Sequence, residues 1–233
     1  MIADQSARED PVTQKISDLH VAREEILPTP RAVHAELPAG DAEAAHVARS
    51  RGLVQDVLSG RDRRLLVIVG PCSIHDPKSA LEYAERLRDF AAGVADALIP
   101  VMRVYFEKPR TRMGWKGLIY DPDLDDRGNI GAGLRLARRI LLDCARLGVP
   151  AASEILDLVT PQYYAELLSW GAIGARTVES PLHRQMASIA SRQDVLHQAP
   201  AARNVRGFRI ARRQLGVHRA RRRQYFLARN VQV

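Results

Sequence analysis

The sequence predicts a parallel α/β fold, either a doubly wound sheet or a barrel, and three observations lead there. From Leu65 onward, apolar runs of strand length alternate with amphipathic helical stretches. The runs are continuous rather than alternating, as in strands covered on both faces. Polar residues also gather at their carboxyl ends: Cys72 follows the first strand, Arg103 to Arg112 follow the second, Glu154 ends the third and Arg176 the fourth. Chemistry in parallel α/β folds collects at that end of the strands.

Residues 1–64 read as an N-terminal extension with local helices. A short mixed stretch, Ile16 to Ile26, is followed by a break at Leu27-Pro-Thr-Pro-Arg31, and Ala42 to Leu58 carries apolar residues spaced three and four apart, closed by Ser59-Gly60. Leu65-Leu-Val-Ile-Val-Gly70 is the first strand. Asp76-Pro77 opens a helix to about Phe90, with proline in the first turn. A second strand, Pro100 to Tyr105, extends the apolar run Leu98 to Met102. A loop over 106–128 leads to a helix over Ala132–Leu147, stopped by Gly148 and Pro150. Pro150 to Glu154 is the third strand. Thr160-Pro161 predicts the N-cap and first position of a helix over Gln162–Trp170, and Ala172 to Thr177 is the fourth strand. After Ser188 the longest apolar run is Tyr225 to Ala228.

Charge is distributed unevenly. The chain carries a formal net charge of +8, yet residues 189–233 contribute +10, which leaves −2 for residues 1–188. The basicity therefore belongs to an Arg-rich tail, expected to be disordered, and the rest is a near-neutral globular sequence with 46% hydrophobic residues. Cys72 and Cys144 form neither a disulfide framework nor a CxxC pair, which fits a reducing cytoplasm. The first ten residues carry acids where a signal peptide carries cations, and no apolar run approaches the roughly 20 residues that span a bilayer. A membrane partner is not expected.

Two stretches carry chemistry. Arg103 to Lys116 packs Arg103, Lys108, Arg110, Arg112 and Lys116 around a single acid, Glu107, just past a strand. Guanidinium forks and ammonium groups at a strand end suit phosphate or carboxylate. A solvated charged loop is the plainer reading, but Tyr105, Phe106, Pro109, Gly114 and Trp115 are odd choices for one. In Gly70 to Pro77, Cys72 and His75 are candidate metal ligands, although a lone cysteine after a buried strand is more often a small core residue. Glu154 and Arg176 serve equally as a salt bridge or as site residues. Cys144 reads as packing, and His183 with Arg184 as surface.

Six segments closely resemble class I 3-deoxy-D-arabino-heptulosonate 7-phosphate (DAHP) synthase, the first enzyme of the shikimate pathway. They are VGPCSIHDP (69–77), VMRVYFEKPRT (101–111), GWKGLIYDPDLD (114–125), GLRLARRILLD (133–143), PAASEILDLVTPQYYAELLSWGAIGART (150–177) and ESPLHRQMAS (179–188). A sister family that makes an eight-carbon phosphosugar acid lacks the Lys-Pro-Arg-Thr found here at 108–111. The resemblance implies a (β/α)8 TIM barrel and an aldol-like condensation of phosphoenolpyruvate with erythrose 4-phosphate, assisted by a divalent metal (Mn, Fe, Co or Zn). It implies Cys72 as a metal ligand, and Arg103, Lys108 and Arg176 as binders of phosphoenolpyruvate. Lys108, Pro109, Arg110 and Thr111 would bind erythrose 4-phosphate, with Lys108 and Glu154 at the reacting carbons. The extension would support a homo-oligomer and feedback inhibition by an aromatic amino acid. Arg112 departs from the family's second threonine.

The likeness ends near Ser188. The family continues with four more strand–helix units carrying a lysine and three metal ligands, and a (β/α)8 barrel takes about 250 residues, more than remain from Leu65 to Val233. The expectation is therefore the first four βα units over 65–188 and an unrelated tail over 189–233, read as out-of-frame translation, in a chain without useful activity. The alternative is a non-catalytic fragment whose tail binds nucleic acid non-specifically through its eleven arginines. With few aromatics and no recognised motif, specific nucleic-acid binding is not expected.

Overall fold

The computed structural model describes residues 24–108, 110, 114–173, 180–183 and 225–227. Strand β1 (Leu65–Val69), β2 (Leu98–Arg103), β3 (Ala151–Ile155) and β4 (Trp170–Ile173) lie side by side in chain order, all parallel. This is the sheet of a partial barrel. β2 starts two residues earlier than its sequence indicates and ends at Arg103, so Tyr105 belongs to the following loop. Pro100 falls before β3's pairing begins at Met102, where a missing ladder donor costs nothing on that side.

Alternation along the strands separates two apolar layers. Leu66, Ile99, Val101 and Ala152 pack with Val54 and Val57 of helix α2 (Asp41–Ser59). Met102 and Ala151 belong to the larger core, shared with Ala80, Ala84 and Leu87 of α3 (Pro77–Gly93) and with Leu134, Ala137 and Leu141 of α4 (Ile130–Arg146). Helix starts follow their caps. The Asp76 carboxylate accepts from the Lys78 and Ser79 amides, and Asn129 Oδ1 accepts from Ala132 N. Gly60 and Gly148 close α2 and α4 with φ of 79° and 74°. Gly133 lets α4 press on the 104–129 loop, because a Cβ there would lie 2.1 Å from the Ile119 carbonyl oxygen.

Two expectations need correction. The break at Leu27–Arg31 contains a helix start: Thr29 caps α1 (Pro30–Glu36), accepting from Ala32 N, with Pro30 in its first turn. The helix expected over Gln162–Trp170 is two 3₁₀ turns, Thr160–Tyr163 and Ala165–Leu167, and Trp170 already belongs to β4. Carbonyls that an α-helix would use are taken by arginines from elsewhere. Arg138 donates to Tyr163 O at 2.8 Å, and Arg51 donates to Glu166 O at 2.8 Å and Leu168 O at 2.9 Å. Of the tail only residues 225–227 are described, and they form a short strand β5 (Tyr225–Leu227) paired in parallel with Leu66 to Ile68 of β1. An open strand edge is a ready template for pairing.

Residues 16–23 of the expected first helical stretch lie outside the described residues, as do most of the fourth strand's expected span and most of the tail. No described helix is long and apolar enough to cross a membrane.

Arg138 is only 2% exposed and donates to Leu37 O at 2.7 Å, to Tyr163 O and to the Glu166 carboxylate. Arg138→Met is expected to lower unfolding free energy by about 2–4 kcal/mol, because buried carbonyls on α1 and the first 3₁₀ turn lose their donor. Urea unfolding of parent and variant checks this.

Candidate active site

The loops leaving β1 and β2 are fastened to each other. Gly70 lies against Arg103, and a Cβ there would be 2.5 Å from the Arg103 carbonyl oxygen, so any side chain would part the two strand ends. The Ile74 amide donates to Tyr105 O at 2.8 Å, and Ser73 Oγ donates to the same oxygen at 3.2 Å. Farther along, the Lys108 amide donates to Lys116 O at 2.8 Å and closes the neck of the cationic loop. Gly117, with φ of 109°, passes so close to Phe106 that only glycine fits. Trp115 is held by its indole N–H, which donates to Asp121 O at 2.8 Å.

This scaffold brings Lys108 to Cys72. The Lys108 ammonium lies 2.9 Å from Cys72 Sγ and 3.0 Å from Cys72 O. That contact draws the exposed thiol's pKa below its ordinary value, against a smaller opposing effect of burial, and Arg103 adds to the pull. Arg103 stacks its guanidinium over the Tyr105 ring, 3.9 Å from the centroid. Burial raises the Tyr105 phenol, and the nearby charge of Glu154 raises it further. Arg103, Lys108, Cys72 and Glu154 therefore gather at the carboxyl ends of three neighbouring strands, as their spacing indicates.

Other candidates fall differently. Arg110 is exposed and its Nε lies 3.4 Å from Trp115 O, a long contact that folds the side chain back over its own loop. Pro109, Thr111, Arg112 and Arg176 lie outside the described residues. Cys144 is packing, as expected: it is buried against Met102, and burial pushes its thiol up to about 12. His183 is not a free surface group, since its Nε2 lies 2.9 Å from Leu156 O.

The residues give a divalent metal one thiolate. Among the described residues no three His, Cys, Asp or Glu side chains converge to hold an ion, and a protein metal site takes three or four such ligands. The described part does not fit a complete site.

One polar residue here escapes sequence reasoning. Glu107, the single acid of the cationic stretch, is 4% exposed and accepts the hydroxyl hydrogen of Thr160 on Oε1, while Oε2 has no hydrogen-bond partner among the described residues. Burial, with a smaller push from the charge of Asp157, lifts its carboxyl to about 7 against the opposing Thr160 hydroxyl. Its isolation among cations was the available signal. Thr160 gave none, because Thr-Pro reads as a helix start.

Fold and site together define a parallel α/β protein whose sheet is that of a partial barrel, with cations and a thiol at its strand ends. The particular family follows from comparison: a family model described as the DAHP synthetase I family matches residues 37–202, and this chain belongs to that family. The Tyr-sensitive phospho-2-dehydro-3-deoxyheptonate aldolase of Salmonella typhimurium is 52% identical over 173 residues, covering 74% of this chain and 49% of the relative. The Trp-sensitive enzyme of Enterobacter agglomerans is 52% identical over 177 residues, covering 76% of this chain and 51% of the relative. A phospho-2-dehydro-3-deoxyheptonate aldolase structure from Francisella tularensis superposes with a TM-score of 0.70 at 49% identity, covering 72% of this chain and 49% of that one. The chain spans about half the length of these relatives.

Two outcomes are expected. Glu107 holds its proton up to about pH 7 when folded and to about 4.5 when unfolded, so folding takes up a proton between those values. Relative to a neutral side chain, its contribution is intact below about pH 4.5 and falls by on the order of 3 kcal/mol as pH rises through 7. In Glu107→Gln, stability should match the parent near pH 4.5 and exceed it at pH 8, read by urea unfolding at both. Separately, Lys108→Met should slow iodoacetamide alkylation of Cys72 severalfold at pH 7, because the thiolate loses its main stabilising partner. Buried Cys144 serves as the internal control.

Proposed function

We propose that this chain carries the phosphoenolpyruvate-facing half of a 3-deoxy-7-phosphoheptulonate synthase, which condenses phosphoenolpyruvate with erythrose 4-phosphate in aromatic amino acid biosynthesis. One observation carries the reading: Arg103 and Lys108 meet at Cys72, on two neighbouring strand ends, inside a segment 52% identical to named aldolases of this reaction. Both substrates are anionic, and like charges approach only where fixed cations neutralise and orient them. Arg103 and Lys108, with Arg176, take the phosphate and carboxylate of phosphoenolpyruvate. The Lys108-Pro-Arg-Thr111 segment takes the sugar phosphate, and Glu154 stands beside the reacting carbons.

In that reaction the methylene carbon of phosphoenolpyruvate bonds to the aldehyde carbon. Water adds to the carbon bearing the phosphate ester, and inorganic phosphate leaves. Lys108 and Arg103 hold the negative charge in place throughout. Cys72 would supply one ligand of a divalent metal, and the further ligands that the resemblance implies have no match in this sequence. Two relatives are named for sensitivity to tyrosine and tryptophan. An aromatic amino acid as feedback inhibitor, acting through a homo-oligomer supported by residues 1–64, is the corresponding proposal here.

Isothermal titration of the full chain with phosphoenolpyruvate tests the part it carries. Binding is expected, weakened about tenfold or more by Lys108→Met or Arg103→Met, since each removes a charge-assisted contact. Unchanged affinity in both variants would sink the assignment.

A further inference from the structure

The cationic loop is aimed from behind. Three consecutive residues at its neck serve different masters. Phe106 is buried and meets Tyr164 edge-on, with centroids 5.7 Å apart. Glu107 turns into the protein and takes the Thr160 hydroxyl. Lys108 turns out to Cys72, while its own amide is held by Lys116 O. Backbone rotation at residue 107 therefore moves the Lys108 ammonium, and the Glu107 carboxylate restrains that rotation.

The restraint reaches across two strands. Thr160 belongs to the segment after β3, and Asp157 Oδ1 fixes that segment by accepting from the Val159 and Thr160 amides at 2.6 and 3.0 Å. His183 holds Leu156 O in the same stretch. Asp157, Tyr120 and Tyr164 surround Glu107 electrostatically, and no cation is among them. Among the described residues the carboxyl faces an acid, phenols, the Thr160 hydroxyl and the backbone of Leu156 and Asp157, so it is not there to neutralise the neighbouring lysine. Lys108, next in sequence, points elsewhere.

We propose that Glu107 is a positioning residue: by accepting the Thr160 hydroxyl it fixes the neck of the 104–117 loop and so aims Lys108 at the strand-end site. The tie stands on its own geometry, and only its consequence for phosphoenolpyruvate rests on the function proposed above. Gln at 107 presents the same acceptor to Thr160 and keeps the loop in place, whereas Ala at 107 or Val at 160 removes one end of the tie.

Hydrogen exchange of the full chain, read by mass spectrometry, tests this. Glu107→Ala and Thr160→Val should each speed exchange in peptides spanning 104–108 and 114–121 by about tenfold. Peptides from β1 and β2 should change less than about twofold, the signature of local rather than global opening. Glu107→Gln should restore parent-like loop protection. Thr160→Val, nearly isosteric, keeps the test decisive should the Ala variant fail to fold. Unchanged loop exchange in Thr160→Val, or acceleration spread equally over β1 and β2, overturns the proposal. Phosphoenolpyruvate titration of the same proteins separates the two readings. If the parent itself does not bind, the assigned function fails, while the exchange pattern still decides the role of Glu107.

Discussion

A buried guanidinium organises the outer layer of this molecule. Removing a charge from water costs several kcal/mol unless its donors are satisfied, and Arg138 meets that cost only with α1, α4 and the first 3₁₀ turn all in place. Leu37 must end α1 where its carbonyl faces α4, and Tyr163 must leave α-helical geometry to offer its own. Arg51 of α2 does the same to the second turn. The segment between β3 and β4 is thus shaped by arginines from two helices rather than by its own propensities. That shape places Thr160 under the cationic loop.

The site follows from this frame. Strands in parallel register deliver Cys72, Arg103 and Glu154 to one end, but delivery alone leaves a flexible lysine on a long loop. Its aim comes from contacts behind it: Phe106 on Tyr164, Glu107 on Thr160, and the amide closure between Lys108 and Lys116. Close backbone approaches at Gly70 and Gly117 remove the remaining slack. The polar face toward substrate and the buried face toward the core are therefore one device, with its fixed part hidden.

A buried carboxyl in such a place carries a stability cost that rises with pH, since the native state holds a proton the unfolded chain releases. A carboxyl can do there what a hydrophobic residue cannot. Accepting a hydroxyl hydrogen from a second loop is such a task.

The sequence by itself determined the parallel strands, the caps at Asp76 and Gly60, and the gathering of Cys72, Arg103, Lys108 and Glu154, because these depend on local periodicity, turn chemistry and strand polarity. Its family segments could be read directly from 69–77 and 101–111. It did not reveal α1, since Pro-Thr-Pro is both a break and a cap followed by a first turn. It misread Thr160-Pro161 as an α-helix start, because the arginines that take the following carbonyls come from residues distant in the chain. It passed over Glu107 for the same reason. Whether an acid among cations is a solvated neighbour or a buried tie depends on which way the backbone turns it, and only tertiary packing decided that.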